Sequence, residues 1–112
     1  PITLSLDAEL LNTNADTVAQ TIAVGMSSNY DVELIYCFEK KGVLMSIEDE
    51  DSVITHITSE SFADLKAANI VADGMLPKLE NAFIALNSGV KKVVIRSSKD
   101  LANGIETSIT AF

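Results

Sequence analysis

A helical stripe that gives way to a strand, twice in one short chain, is what most limits the folds open to it. Residues 14–26, NADTVAQTIAVGM, carry Ala15, Val18, Ala19, Ile22, Ala23 and Met26 at the spacing i, i+3, i+4, i+7, i+8 and i+11. That spacing predicts an amphipathic helix with these residues toward a core. Asn14 suits its N-cap, Asp16 falls in the first turn where negative charge is favoured, and the three alanines permit close approach to a sheet. Residues 31–38, DVELIYCF, follow; they are rich in β-formers and almost continuously apolar from Val32. Such a run predicts a buried central strand. Later, Leu79, Ala82, Phe83 and Leu86 mark a second stripe, Gly89 suits its stop, and VKKVVI at 90–95 reads as another strand.

Shorter signals fill the rest. ITLSL at 2–6 alternates like the end of a strand, EKKG makes a turn ending at Gly42, and VLMS is a short extended piece. SVITHIT is extended, and SESFADLKAAN is a short helix starting near Ser59 or Ser61, with Asn69 suited to a left-handed stop. KDLANG contains an Asn103-Gly104 turn signal, and IETSITAF alternates as a last strand antiparallel to its neighbour. The predicted fold class is α/β: a helix–sheet–helix sandwich with a mainly parallel sheet and an antiparallel edge hairpin.

Charge and composition narrow the function. The 112 residues suffice for one small domain with a single core. Net charge is −8, and residues 1–39 contain no Lys or Arg, so nucleic acid and anionic membranes are poor partners. No apolar run approaches the length of a membrane span. The single cysteine, Cys37, permits no internal disulfide and reads as a buried small hydrophobe; a reducing cytoplasm is expected. Glu48-Asp49-Glu50-Asp51 reads as a solvated loop, because it lacks the glycine and ligand spacing of a calcium loop. The lone His56 reads as a surface or satisfied polar residue, and one His with one Cys gives no usual zinc site. P-loop, G-x-G-x-x-G and G-x-S-x-G motifs are absent, and no metal-ligating residues are predicted. The chain starts on Pro1, without a methionine, at what reads as a strand end. A fragment or one half of a larger fold is therefore expected, with an exposed apolar face that favours a homo-oligomer.

Two polar constellations remain. Asn12-Thr13-Asn14-Ala15-Asp16 leads into the first helix with more polar groups than a cap needs, so capping alone and a ligand role both stand. Asp73-Gly74-Met75-Leu76-Pro77-Lys78 opens the second, with Pro77 at its first helical position. Lys78 there sits at the positive end of the macrodipole, where a cation is disfavoured by roughly 0.3–1 kcal/mol. Either the side chain swings away into solvent, or backbone N–H groups, dipole and ammonium together attract a phosphate, with Gly74 admitting close approach.

LLNTNADTVA, followed by DGMLPKLENAF and GVKKVVI, resembles the C-terminal half of the acylglutamate kinases of the amino acid kinase family. The family pattern reads close to L-N-x-N-A-D and later G-G-M-[IL]-x-K, and the similarity runs through nearly the whole chain. It implies that residues 1–112 are the C-terminal, nucleotide-binding lobe of that fold, with the N-terminal lobe absent from this chain. The implied activity is ATP-dependent phosphorylation of the side-chain carboxylate of an N-acyl-L-glutamate, a step of arginine biosynthesis. The implied partners are ATP, with Mg²⁺ held mainly by the nucleotide, and the N-acyl-L-glutamate. By motif position, Asp16 matches the aspartate that orients catalytic lysines, Lys78 the lysine that reaches the nucleotide phosphates, and Asn12 the asparagine that contacts the amino-acid substrate. Gly42, Val43 and Leu44 match the loop beside the nucleotide, and Ile70 and Met75 match residues on the adenine side.

The chain also departs from the family. ELIYCFEKKGVL stands where LILLTDVPGVL is usual, so Phe38-Glu39 replaces Thr-Asp and Lys40-Lys41 enters the turn. Asp73-Gly74 replaces Gly-Gly, and the tail after Ile95 lacks a D-G-R piece and the helix after it. Kinases of aspartate, glutamate or carbamate, and a non-catalytic nucleotide-binding fragment, are the alternatives; Asn12 beside Asp16 favours the acylglutamate branch. Without the other lobe, the 112 residues are predicted to be inactive alone.

Overall fold

In the computed structural model, residues 1–72, 74–102 and 104–112 are described. Asp73 of the second constellation and Asn103 of the Asn-Gly turn lie outside the described residues. Strands β1 (Ile2–Leu4) and β2 (Leu10–Asn12) pair antiparallel as a small hairpin apart from the main sheet. Helix α1 (Ala15–Ser27) follows, then β3 (Glu33–Phe38), β4 (His56–Ile57), α2 (Ser59–Ala67), α3 (Leu76–Asn87), β5 (Lys92–Ser97) and β6 (Glu106–Ile109).

Local chemistry sets the helix ends. The Asn14 carboxamide oxygen accepts the backbone N–H groups of Asp16 at 2.9 Å and Thr17 at 3.2 Å, satisfying two donors that an uncapped helix leaves bare. Thr58 caps α2 and shares a reciprocal capping box with Ser61. Asn69 stops that helix at φ +54°, and Gly89 follows α3 at φ +110°. Helix α3 starts at Leu76, one residue before Pro77, and its N-cap Met75 contributes no side-chain bond.

The main sheet runs β3-β5-β6-β4. β3 is parallel to β5 and β4 is parallel to β6, while β5 and β6 are antiparallel. The α/β class, the mainly parallel sheet and the antiparallel hairpin are therefore as expected; β4 extends the sheet beyond the hairpin's second strand. The register aligns Tyr36 with Ile95 and Ile95 with Thr107, so β3, β5 and β6 share one core-facing row. Leu79, Ala82 and Ala85 of α3 are fully buried over this face and Phe83 nearly so. The Phe62 ring stacks on Phe83 at 5.0 Å between centroids, which joins α2 to α3.

Expectations for β3, Cys37 and α1 are corrected. β3 is the first strand of the sheet order rather than a central one, with Ile35 43% exposed and Cys37 exposed on its outer face. An apolar run reads the same whether one or both faces are covered, and here only the face toward α1 and α3 is. On α1, Ala23 is buried, but Ile22 and Met26 are exposed, because the apolar stripe is wider than the contact with β3 and α3. The acidic loop is exposed as expected, yet Glu50 and Asp51 also pair with Lys40 and Lys41 at 3.0 and 3.1 Å. His56 is at the surface, with Nε2 3.2 Å from the Thr110 hydroxyl.

One buried side chain ties the segment after β3 to the sheet. The Thr107 hydroxyl accepts the Val43 N–H at 2.8 Å and donates to the Ile54 carbonyl at 2.7 Å. Gly42 passes so close that an added Cβ would sit 2.5 Å from the Thr107 oxygen and 3.1 Å from its backbone nitrogen. Gly42→Ala should therefore destabilise the fold by about 1–3 kcal/mol, the usual cost of overpacking a tight site. Thermal or urea melts read this directly; an unchanged midpoint would contradict the close approach.

Candidate functional site

Helix α1 precedes β3 and α3 precedes β5; because β3 and β5 are parallel, the two helices run side by side in the same direction. Their N-termini meet at the carboxyl end of the strands, where open α/β sheets bind ligands. Asp16 lies in the first turn of α1 and Lys78 in the first turn of α3. The Lys78 ammonium sits 2.8 Å from both carboxylate oxygens of Asp16, across 62 residues of sequence. The two side chains are only 18% and 20% exposed, so this pair is less screened than the surface pairs elsewhere in the chain.

This contact resolves the unfavourable placement of Lys78. The adverse interaction with its own helix is offset by an aspartate that is itself favourably placed in the first turn of the neighbour. Of the two readings of this lysine, the one that swings it into solvent is the one the geometry rejects. An ammonium has three N–H donors, and Asp16 takes two.

β3 supplies the floor. The Tyr36 and Phe38 rings lie 5.8 and 5.9 Å from Lys78 Nζ, and the Tyr36 hydroxyl donates to the Asp16 carbonyl at 3.0 Å. Burial, and secondarily the nearby Asp16 charge, pushes the Tyr36 phenol up to about 12. Next to Phe38 opens a groove of about 150 Å³, lined also by Gly42, Val43, Leu44, Gly74 and Met75. It contains four of the five residues expected beside a nucleotide. Ile70 does not line it and packs, half-buried, against the core. Asn12 is exposed at the end of β2, four residues before Asp16.

A larger cleft of about 510 Å³ adjoins the groove through Glu39, Lys40 and Leu44. Lys41 and Lys99 line it together with Glu50 and Asp100, a mixture of both signs. Among the described residues, no group of three or more His, Cys, Asp or Glu side chains is placed to hold a metal ion. Tyr36 and Phe38 were not among the site residues expected from sequence. Their i, i+2 spacing on a strand was the available signal, since it puts both rings on one face.

Because the folded-state value of Tyr36 lies above its ordinary 10.0, its neutral form stabilises the fold fully below pH 10. That contribution declines as pH rises toward 12. Phenolate absorbance should show a late-titrating step that disappears in Tyr36→Phe. Full titration of the native protein well below that pH would contradict the buried hydroxyl.

Comparison with known proteins agrees with the fold. The model of the amino acid kinase family matches residues 1–97. Over 109 residues the chain is 48% identical to an acetylglutamate kinase of Phocaeicola vulgatus, covering 97% of this chain and 42% of that protein. An acetylglutamate kinase of Cytophaga hutchinsonii is 44% identical over 110 residues, covering 98% and 42%. The crystal structure of smu.665 from Streptococcus mutans superposes with a TM-score of 0.78 at 32% identity, covering 99% of this chain and 41% of that one. The chain thus spans about two fifths of the length of the relatives it matches. With the family's model matching residues 1–97, this chain belongs to the amino acid kinase family.

Proposed function

We propose that the chain is the nucleotide-binding, C-terminal lobe of an acetylglutamate kinase, which phosphorylates the side-chain carboxylate of an N-acyl-L-glutamate with ATP. One observation carries the nucleotide reading: Phe38 belongs to both halves of the site. Its ring lies 5.9 Å from Lys78 Nζ and also lines the groove with Gly42, Val43, Leu44 and Met75. A nucleotide lying along this edge has its base against an apolar wall and its phosphates at an ammonium and two helix N-termini. The names of the similar proteins support the choice of acceptor.

The roles of the residues follow from charge. Transfer of the γ-phosphoryl group breaks its bond to the bridging oxygen of ADP and forms one to a carboxylate oxygen. Two anions must approach, so positioning and neutralisation matter more than covalent help. Lys78 binds the phosphates and offsets charge as it develops. Asp16 aims that ammonium through the 2.8 Å contacts and holds it when no phosphate is near. Asn12, exposed on the hairpin ahead of α1, contacts the amino-acid substrate. Mg²⁺ would be held mainly by the nucleotide, since no group of three or more His, Cys, Asp or Glu among the described residues is placed to hold it, and it would supply charge neutralisation at the phosphates. The remaining substrate contacts come from a second lobe outside these residues. The exposed Ile2, Leu4 and Leu6 of the hairpin suit burial against another lobe or another copy in a homo-oligomer. No helix among the described residues is long and apolar enough to cross a membrane. A cytoplasmic location belongs to the kinase proposal, because the reaction draws on ATP.

Lys78→Met in the full-length protein should lower kcat/KM by about 100-fold or more, the scale of losing one preorganised charge donor. Steady-state assays with N-acetyl-L-glutamate, N-succinyl-L-glutamate, aspartate, glutamate and carbamate as acceptors check this. Wild-type turnover confined to an N-acylglutamate is the expected result. Preference for an unacylated acceptor, or full activity without Lys78, would overturn the reading.

A further inference from the structure

A carboxylate partner explains why Lys78 is not repelled from its helix end, but not why two aromatic rings face it. Tyr36 and Phe38 are two residues apart on β3, so the strand's period of two turns both rings to the face that carries α1 and α3. Lys78 Nζ stands 5.8 Å from one centroid and 5.9 Å from the other, inside the roughly 6 Å range of attraction between an ammonium and a ring face. Tyr36 is 5% exposed and its hydroxyl donates to the Asp16 carbonyl at 3.0 Å. One side chain therefore touches both members of the ion pair, the ammonium with its ring and the first turn of α1 with its oxygen.

We propose that Tyr36 and Phe38 are positioning residues for Lys78, an aromatic cradle that aims its ammonium toward the groove without neutralising it. A second carboxylate at this place would hold the lysine more firmly but cancel the charge that a phosphate needs. Ring faces attract the cation through their quadrupoles and leave its formal charge intact. Rings beside the ammonium also limit the lysine's rotamers, which would otherwise need ordering at each binding event. Phe38 completes the device, because it is at once part of the cradle and part of the groove wall. The raised phenol of Tyr36 keeps that hydroxyl protonated, as its bond to the Asp16 carbonyl requires. The effect of the cradle on phosphates rests on the nucleotide reading above; the cradle itself does not.

The test separates the two. In the full-length protein labelled with ¹³C-lysine, the Lys78 ε-methylene signal, assigned through Lys78→Arg, should be shifted upfield of the other lysines by ring currents. Phe38→Leu should remove a large part of that shift and Phe38→Tyr should restore it. Fluorinated phenylalanine at position 38 keeps the shape but weakens the quadrupole, so Mg·ATP affinity should fall stepwise with fluorine number, by about 3- to 10-fold in all. In kinetics, Phe38→Leu should raise KM for ATP and lower kcat together, while Tyr36→Phe, which keeps the ring, should retain the upfield signal. A Lys78 signal unshifted in the wild type, or indifferent to the loss of Phe38, would overturn the cradle. An upfield Lys78 signal that responds to Phe38, in a protein with no ATP affinity, would support the cradle and defeat the nucleotide reading.

Discussion

Everything placed near the candidate site depends on one partly buried ion pair that ties the N-termini of two helices. Asp16 and Lys78 meet at 2.8 Å with each side chain about four-fifths covered. Two positive helix ends brought side by side repel one another, and an aspartate shared between them relieves that repulsion. The pair also fixes how far α1 and α3 can slide along the sheet. Its position in turn decides which residues from β3 and from the segment ahead of α3 can share a groove.

The sheet contributes direction rather than chemistry. Parallel β3 and β5 force the preceding helices to point their N-termini the same way, so two positive helix ends converge. The segment after β3 is held to this edge by the Thr107 hydroxyl, with Gly42 pressed against it. Two buried contacts thus bring Gly42, Val43 and Leu44 to the same groove as Met75, although none of these residues carries a charge. The polar work is concentrated in Asp16 and Lys78, and the shape of the groove is left to apolar side chains. Small-molecule sites commonly divide their labour in this way.

The local parts of this architecture were readable from the chain alone. Asn14 as a cap, Asn69 and Gly89 as stops, and the buried stripe of α3 each depend on neighbours within about a turn. Contacts across long stretches of sequence were not readable in that way. Asp16 and Lys78, which the resemblance names together, meet as an ion pair, but composition offers no means of pairing residues 62 apart. The resemblance also names Ile70, which packs, half-buried, against the core and is not among the residues lining the groove. β2 is only three residues long, too short for periodicity to show, so the opening hairpin went unseen. Cys37 and Ile35 looked buried because an apolar strand does not announce which of its faces a helix will cover. Tyr36 reads from sequence only as a β-former and Phe38 as a departure from the family's loop, since their meeting with Lys78 exists only after α3 has docked.

The most direct measurement is a crystal structure of the full-length protein with Mg²⁺ and a non-hydrolysable ATP analogue. The β- or γ-phosphate oxygens should lie within about 3 Å of Lys78 Nζ, with Asp16 still bonded to the same ammonium and the base against Phe38, Leu44 and Met75. A nucleotide seated in the wider cleft beside Lys99, with Lys78 engaged by Asp16 alone, would contradict the account.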